Sequence, residues 1–190
     1  MKVFDWQFPY ASQRMPVLAR NIVATSQPLA AQAGLTVARG IAVDAHLTSS
    51  VSGIFAAGDV AEAWHPFYGR PMRVEHWDNA KRQGRVAAAN MAGHPTPYDR
   101  IPYFYSDQYE IGMEYTGHAA STDEVLFRGN PRSGAFIAFW LREERVTAGM
   151  NVNVWDVAPA IEELIRAARP VDRSRLADAA APLDAAVLVA

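Results

Sequence analysis

GIFAAGDVAE, residues 53–62, runs from two apolar residues through two alanines into Gly58-Asp59. A short apolar run bounded by turn residues predicts a buried strand over residues 54–57, ending on a carboxylate. Gly58 has no side chain to keep a backbone or a ligand at a distance, and its neighbours Ala56 and Ala57 are small. Asp59 is then placed to accept hydrogen bonds from sugar-like hydroxyls. A turn aspartate capping the following segment fits the same residues. The flanking sequence has to separate the two.

Upstream, VLARNIVA (17–24) reads as a short strand, and QPLAAQAGL as one or two helical turns stopped by Gly34. Val37, Ile41 and Val43 have strand spacing about Gly40, which predicts a small hairpin. Downstream, EAWHPFYGRPMRV (62–74) has no clean period and predicts a loop. Residues 78–91 predict a helix capped by Asp78 or Asn79. Its stripe of Ala80, Gly84, Ala87, Ala88 and Met91 is small enough to lie close on a sheet, and Gly93 is a good stop. Three prolines within HPTPYDRIP (94–102) mark a linker and a domain boundary.

Beyond the linker the pattern becomes β-rich. EVLFRG, AFIAFWL and RVTAGMNVNV predict strands, with LREER forming a hairpin turn between the last two. WDVAPAIEELIRAARP predicts a helix capped by Asp156, with Pro159 in its first turn and Ile161, Leu164, Ile165 and Ala168 on one face. From Arg175 onward the alanine-rich tail shows no pattern.

Composition excludes several classes. The 190 residues include no cysteine, which removes disulfides, zinc-thiolate and Fe–S ligation and a thiol nucleophile from this chain. That fits a reducing cytoplasm. A net charge of −2 gives no reason to expect a nucleic acid or an anionic membrane as partner. No apolar run approaches the roughly 20 residues of a membrane span. The five histidines lack metal-ligand spacing and are expected at the surface or as caps. No nucleophile elbow is present.

Three stretches in order carry a family resemblance. TSSVSGIFAAGDVAE resembles the second flavin-binding motif of the FAD-dependent pyridine-nucleotide reductases, whose closing Gly-Asp meets the ribityl chain. The resemblance gives that role to Asp59, with Gly58 beside it. VEHWDNAKRQGRVAAANMAG is similar to the next helix of the ferredoxin-reductase branch, and to apoptosis-inducing factor. There the helix N-terminus faces the flavin ring, and unpaired N–H groups favour negative charge on it. The resemblance implies that His76 and Trp77 lie beside the ring; read without it, His76 is a cap and Trp77 a core residue. PYFYSDQYEIGMEYTGHA (102–119) resembles the start of the reductase C-terminal domain. It puts Tyr105, where many members have Trp, near the flavin; read without it, the aromatics here are core or interface packing. The resemblance spans about residues 35–178, with a weaker match over 17–35 and none over 1–16.

The expected architecture is α+β. Residues 1–34 are an unassigned leader that includes a candidate nucleotide-domain remnant, 35–98 the C-terminal segment of an FAD-binding α/β domain, and 99–190 an antiparallel reductase C-terminal domain with its tail. No two glycines are separated by a single residue, so the dinucleotide fingerprints for FAD and for NAD(P)H are both missing. What remains is an incomplete FAD site, with the NAD(P)H domain of the whole family absent. Micromolar FAD binding needs about 8 kcal/mol. Asp59 supplies about 1.5–3 kcal/mol, a helix N-terminus about 0.3–1 and one aromatic about 1, which falls short. The resemblance implies a fragment of an NAD(P)H:ferredoxin-type reductase, inactive alone, with no catalytic acid or base. Its partners are a ferredoxin or similar small electron carrier, and a missing N-terminal half. The alternative is a non-catalytic truncated or split module that binds a ferredoxin or a partner subunit.

Overall fold

A computed structural model describes residues 40–188. Its first sheet is built from three short strands, β1 (Ile41–Val43), β2 (Ala61–His65) and β3 (Arg70–Met72). β1 and β2 run parallel, with Ile41 opposite Ala61. β2 and β3 form an antiparallel hairpin, with Ala63 opposite Met72. Two expectations change here. The core strand follows Gly58-Asp59 instead of preceding it, and Gly58–Val60 is a 3-10 turn. Residues 54–57 make one bridge, Phe55 to Thr48, because their amides close a local loop: Ile54 N–H bonds Val51 O and Ala56 N–H bonds Leu47 O. The expected 62–74 loop is the β2–β3 hairpin. β1 pairs parallel with a strand eighteen residues on, and the first arm of the hairpin expected about Gly40, at Val37, lies outside the described residues. The strand and helical turns expected over residues 17–34 lie outside the described residues.

The predicted helix is present as α1 (Trp77–Met91), but its cap and its face differ. His76 is the N-cap, its Nδ1 accepting from the Asp78 amide at 3.2 Å. The buried positions are Asn79, Gln83 and Ala87, while Gly84, Ala88 and Met91 are exposed. The polar members of that face are tolerated because they are satisfied. Asn79 accepts from Tyr98 Oη at 2.8 Å and donates to Val74 O at 2.9 Å. Gly93 follows the helix with φ +82°, the left-handed stop expected of it.

Residues 94–102 have no regular element, as their prolines predict. The segment is nevertheless fixed. Tyr98 and Ile101 are buried, Tyr98 N–H bonds Ala45 O at 2.7 Å, and His65 Nε2 bonds Arg100 O at 2.8 Å. His65 is thus a buried histidine, 4% exposed, and not the surface or capping residue its surroundings predict.

The second sheet has five antiparallel strands: β4 (Tyr103–Gln108), β5 (Ile111–Gly117), β6 (Glu124–Asn130), β7 (Ala135–Arg142) and β8 (Arg145–Val152). Their order is β4-β5-β8-β7-β6. The β7–β8 turn falls on Glu143 and Glu144, both at positive φ, which is the backbone of a tight hairpin. α2 (Ala158–Ala167) lays Ile161, Leu164 and Ile165 on this sheet. At Gly149 an added Cβ would stand 2.6 Å from Ile161 Cγ2, so glycine sets the close approach of helix and strand. Asp156 does not cap α2: the N-cap is Val157, without a side-chain bond, and Ala168 leaves the buried face as a left-handed C-cap.

The tail is structured. α3 (Arg173–Ala177) is capped by Asp172, whose side chain accepts from Ser174 and Arg175 amides at 2.9 and 3.2 Å. Leu176, Leu183 and Ala186 join the main core. Buried Arg128 on β6 donates to the carbonyls of Leu176, Ala179 and Ala181. Alanine content hides this, because three isolated apolar anchors and a distant arginine leave no periodic signal.

Candidate functional site

Gly58 and Asp59 sit on the 3-10 turn between the loop and β2. Gly58 has φ +79°, and a Cβ there would lie 3.1 Å from Ala80 Cβ on α1, so glycine is required on two counts. Its amide donates to Gln83 Oε1 at 2.8 Å, within the buried interface. The turn is therefore bolted to the second turn of α1. Asp59 is exposed, and Arg73 Nε donates to its backbone oxygen at 2.7 Å. Its carboxylate accepts no hydrogen bond from another described residue.

The start of α1 gathers aromatics. The His76 ring stands edge-on to Tyr105 at 5.1 Å between centroids, and 6.3 Å from Phe104. The Tyr105 amide is 3.5 Å from His76 Nε2. Tyr105 is 42% exposed and Trp77 is 62% exposed, with Lys81 Nζ 4.7 Å from the Trp77 ring centre. His76 does cap the helix, and Trp77 does not pack in the core.

Charge is balanced close by. Asp78 in the first turn of α1 pairs with Arg82 at 2.9 Å and Arg100 at 3.3 Å. Arg100 also lies over the Tyr103 ring, 5.9 Å from its centre. Tyr103 Oη donates to Glu114 at 2.6 Å.

His76, Trp77 and Tyr105 are thus brought together at one helix start. Gly58 and Asp59 are joined to the same helix through Gln83 and Ala80. Sequence reasoning missed Gln83, Arg100 and Phe104. Asn79, Gln83 and Asn90 recur at intervals of four and seven. That helical spacing of amides was the available sign of a polar buried face.

The residues present suit part of a flavin contact. A carboxylate without a partner among the described residues and exposed flat rings are groups that bind hydroxyls and stack on a ring system. Backbone amides arranged for a pyrophosphate are a separate requirement, and no glycine-rich turn of that kind occurs in the sequence. Among the described residues no group of three or more His, Asp or Glu side chains is arranged for a metal ion. No helix there is long and apolar enough to cross a membrane.

Comparison with known proteins gives a consistent answer. Residues 22–84 match the pyridine nucleotide-disulphide oxidoreductase family, and residues 103–187 match the reductase C-terminal family. The chain is 38% identical over 151 residues to the ferredoxin–NAD(+) reductase component of the anthranilate 1,2-dioxygenase system of Burkholderia cepacia. That match covers 79% of this chain and 37% of the relative. Apoptosis-inducing factor 3 of Mus musculus is 29% identical over 134 residues, covering 69% of this chain and 22% of its own length. Among solved structures, the ferredoxin reductase for the CYP199A2 system of Rhodopseudomonas palustris superposes with a TM-score of 0.76 at 33% identity. The superposition covers 84% of this chain and 40% of that one. The covalent putidaredoxin reductase–putidaredoxin complex matches with a TM-score of 0.74 at 35% identity, over 82% of this chain and 37% of that one. The chain spans some 37–40% of the length of these reductases. Fold and sequence agree that it belongs to the pyridine nucleotide-disulphide oxidoreductase family, in the ferredoxin-reductase branch.

Proposed function

We propose that this chain supplies the C-terminal half of the flavin site of an NAD(P)H:ferredoxin-type reductase. The observation that carries the reading is the joining of two separated motifs on one helix. The Gly58-Asp59 turn is held to α1 by the 2.8 Å bond from Gly58 to Gln83, and the start of that helix bears His76 and Trp77, with Tyr105 of β4 edge-on to His76. In this reading Asp59 accepts hydrogen bonds from the ribityl hydroxyls of FAD. The exposed rings of Trp77 and Tyr105 line its ring system, and His76 fixes the helix start by capping it. A flavin held there would supply the redox chemistry between NAD(P)H and a small one-electron carrier, and the residues of this chain would hold and orient it. None of these side chains acts as a general acid or base. The partner is a ferredoxin-like protein, a reading supported by the putidaredoxin bound in one structural relative.

The 190-residue chain alone should hold FAD no more tightly than about millimolar, which corresponds to roughly 4 kcal/mol. The test is FAD titration into the purified chain, followed by the Trp77 indole resonance and by the visible spectrum. Weak shifts at Trp77 that Asp59→Asn diminishes are expected. A chain that keeps stoichiometric yellow flavin through gel filtration would overturn the half-site reading. So would shifts confined to residues away from α1, and shifts that Asp59→Asn leaves unchanged would remove the ribityl role.

A further inference from the structure

A second concave site lies on another part of the molecule. The β2–β3 turn overhangs the β7–β8 hairpin and the end of α2, enclosing a cavity of about 590 Å³. That size suits a small organic ligand. Tyr105 pairs with Glu114 on β5, whereas the cavity begins at His118, four residues further along, or roughly 13 Å at strand rise.

Its wall has two characters. Phe67 and Tyr68 stand edge to face at 4.9 Å, and Val146 and Ile165 provide an apolar floor. Around them lie three guanidiniums. Arg142 is matched by Asp123 at 2.7 Å, and Arg145 by Glu143 at 3.3 Å, a carboxylate that also lines the cavity. Arg70 is matched by no carboxylate among the described residues; its Nη2 lies 3.0 Å from His118 Nδ1. Burial and the neighbouring Arg70 pull the His118 imidazole below its ordinary value, so near neutral pH this pair carries the charge of Arg70 alone. After Asp123 and Glu143 offset the other two arginines, one positive charge remains.

We propose that this cavity binds a small organic monocarboxylate with a flat apolar body. The carboxylate takes the fork of Arg70, and the body lies against Phe67, Tyr68 and the Val146–Ile165 floor. Inorganic phosphate shares the charge but has no body to bury. An uncharged amide shares the body but has no charge for Arg70. Occupancy would clamp the β2–β3 turn to the five-stranded sheet.

The test uses the purified chain at pH 7, with sodium benzoate, benzamide and inorganic phosphate titrated separately by calorimetry and by His118 ring resonances. Benzoate should bind saturably, and the other two at least about tenfold more weakly, a difference of about 1.4 kcal/mol. Arg70→Gln should weaken benzoate at least tenfold, Phe67→Ala several-fold, and the distant Arg132→Gln not at all. Both site variants should melt near the parent, and if one does not, the other carries the test. Absence of saturable benzoate binding overturns the proposal, as does binding indifferent to both site variants. Phosphate binding as tight as benzoate overturns the apolar half of it.

Discussion

Replacing Gln83 by methionine tests whether the Gly58-Asp59 turn is held in the way described. The Gly58 amide is buried and donates to Gln83 Oε1 at 2.8 Å, and Gln83 is only 3% exposed. Methionine has nearly the same length and volume, so the cavity cost is small. The change instead leaves a buried N–H without an acceptor, which costs about 1–3 kcal/mol. For a chain of this size each kcal/mol lowers the melting temperature by roughly 2–4 °C. A loss of about 2 kcal/mol therefore predicts a fall of roughly 4–8 °C. The assay is thermal unfolding by circular dichroism, together with amide hydrogen exchange at Gly58. Exchange there should accelerate by more than at Ala148, which is buried in the other sheet. Gln83→Glu retains an acceptor and should recover part of the Gly58 protection. A Gln83→Met chain that melts with the parent and protects Gly58 equally would refute the reasoning.

Two further substitutions test other parts of the fold. Leu176 on α3 is fully buried, so Leu176→Ala should cost about 2–5 kcal/mol, read as a lower urea midpoint; a loss near zero would show that the tail is not part of the core. Asp123 has a side chain with no exposed area; burial alone would raise its pKa, but bonds from Arg142, Ala120 and Thr147 outweigh this and hold it below the ordinary 3.8. Its ionised form thus favours the folded state, an advantage present above about pH 4 and lost as pH falls through the lowered folded value. Asp123→Asn should lower the melting temperature at pH 7 and narrow its gap to the parent toward pH 2–3; a gap independent of pH would contradict the assignment.

The sequence disclosed the two sheets unequally. β7 and β8 are long, rich in β-branched and aromatic residues, and joined by a polar turn, so pattern and structure coincide. β2 reads AEAWH, in which the buried positions include alanines and a histidine, so alternation exists without a hydrophobic signal. Its parallel partner lies across an intervening loop, and local pattern says nothing about such pairing. The start of α1 shows the same limit. Asp78 looked like the cap because short oxygen side chains usually fill that position, but its carboxylate is occupied by Arg82 and Arg100, and His76 takes its place. The residues proposed for the flavin site were legible through resemblance alone; Gln83, which holds the Gly58 turn to α1, has meaning only once the turn is folded against it.

The proline-rich segment 94–102 has a mechanical consequence. Proline content invites a picture of two bodies on a flexible tether. Here β2 grips the segment through His65, α1 grips it through Asp78 on Arg100, and α2 grips it through Arg166 on the Asp99 carbonyl at 3.2 Å. Three elements from both sides of the segment share one short stretch of backbone. Held at Asp99 and Arg100 by all three, that stretch ties the two parts of the chain together as a rivet and not as a hinge.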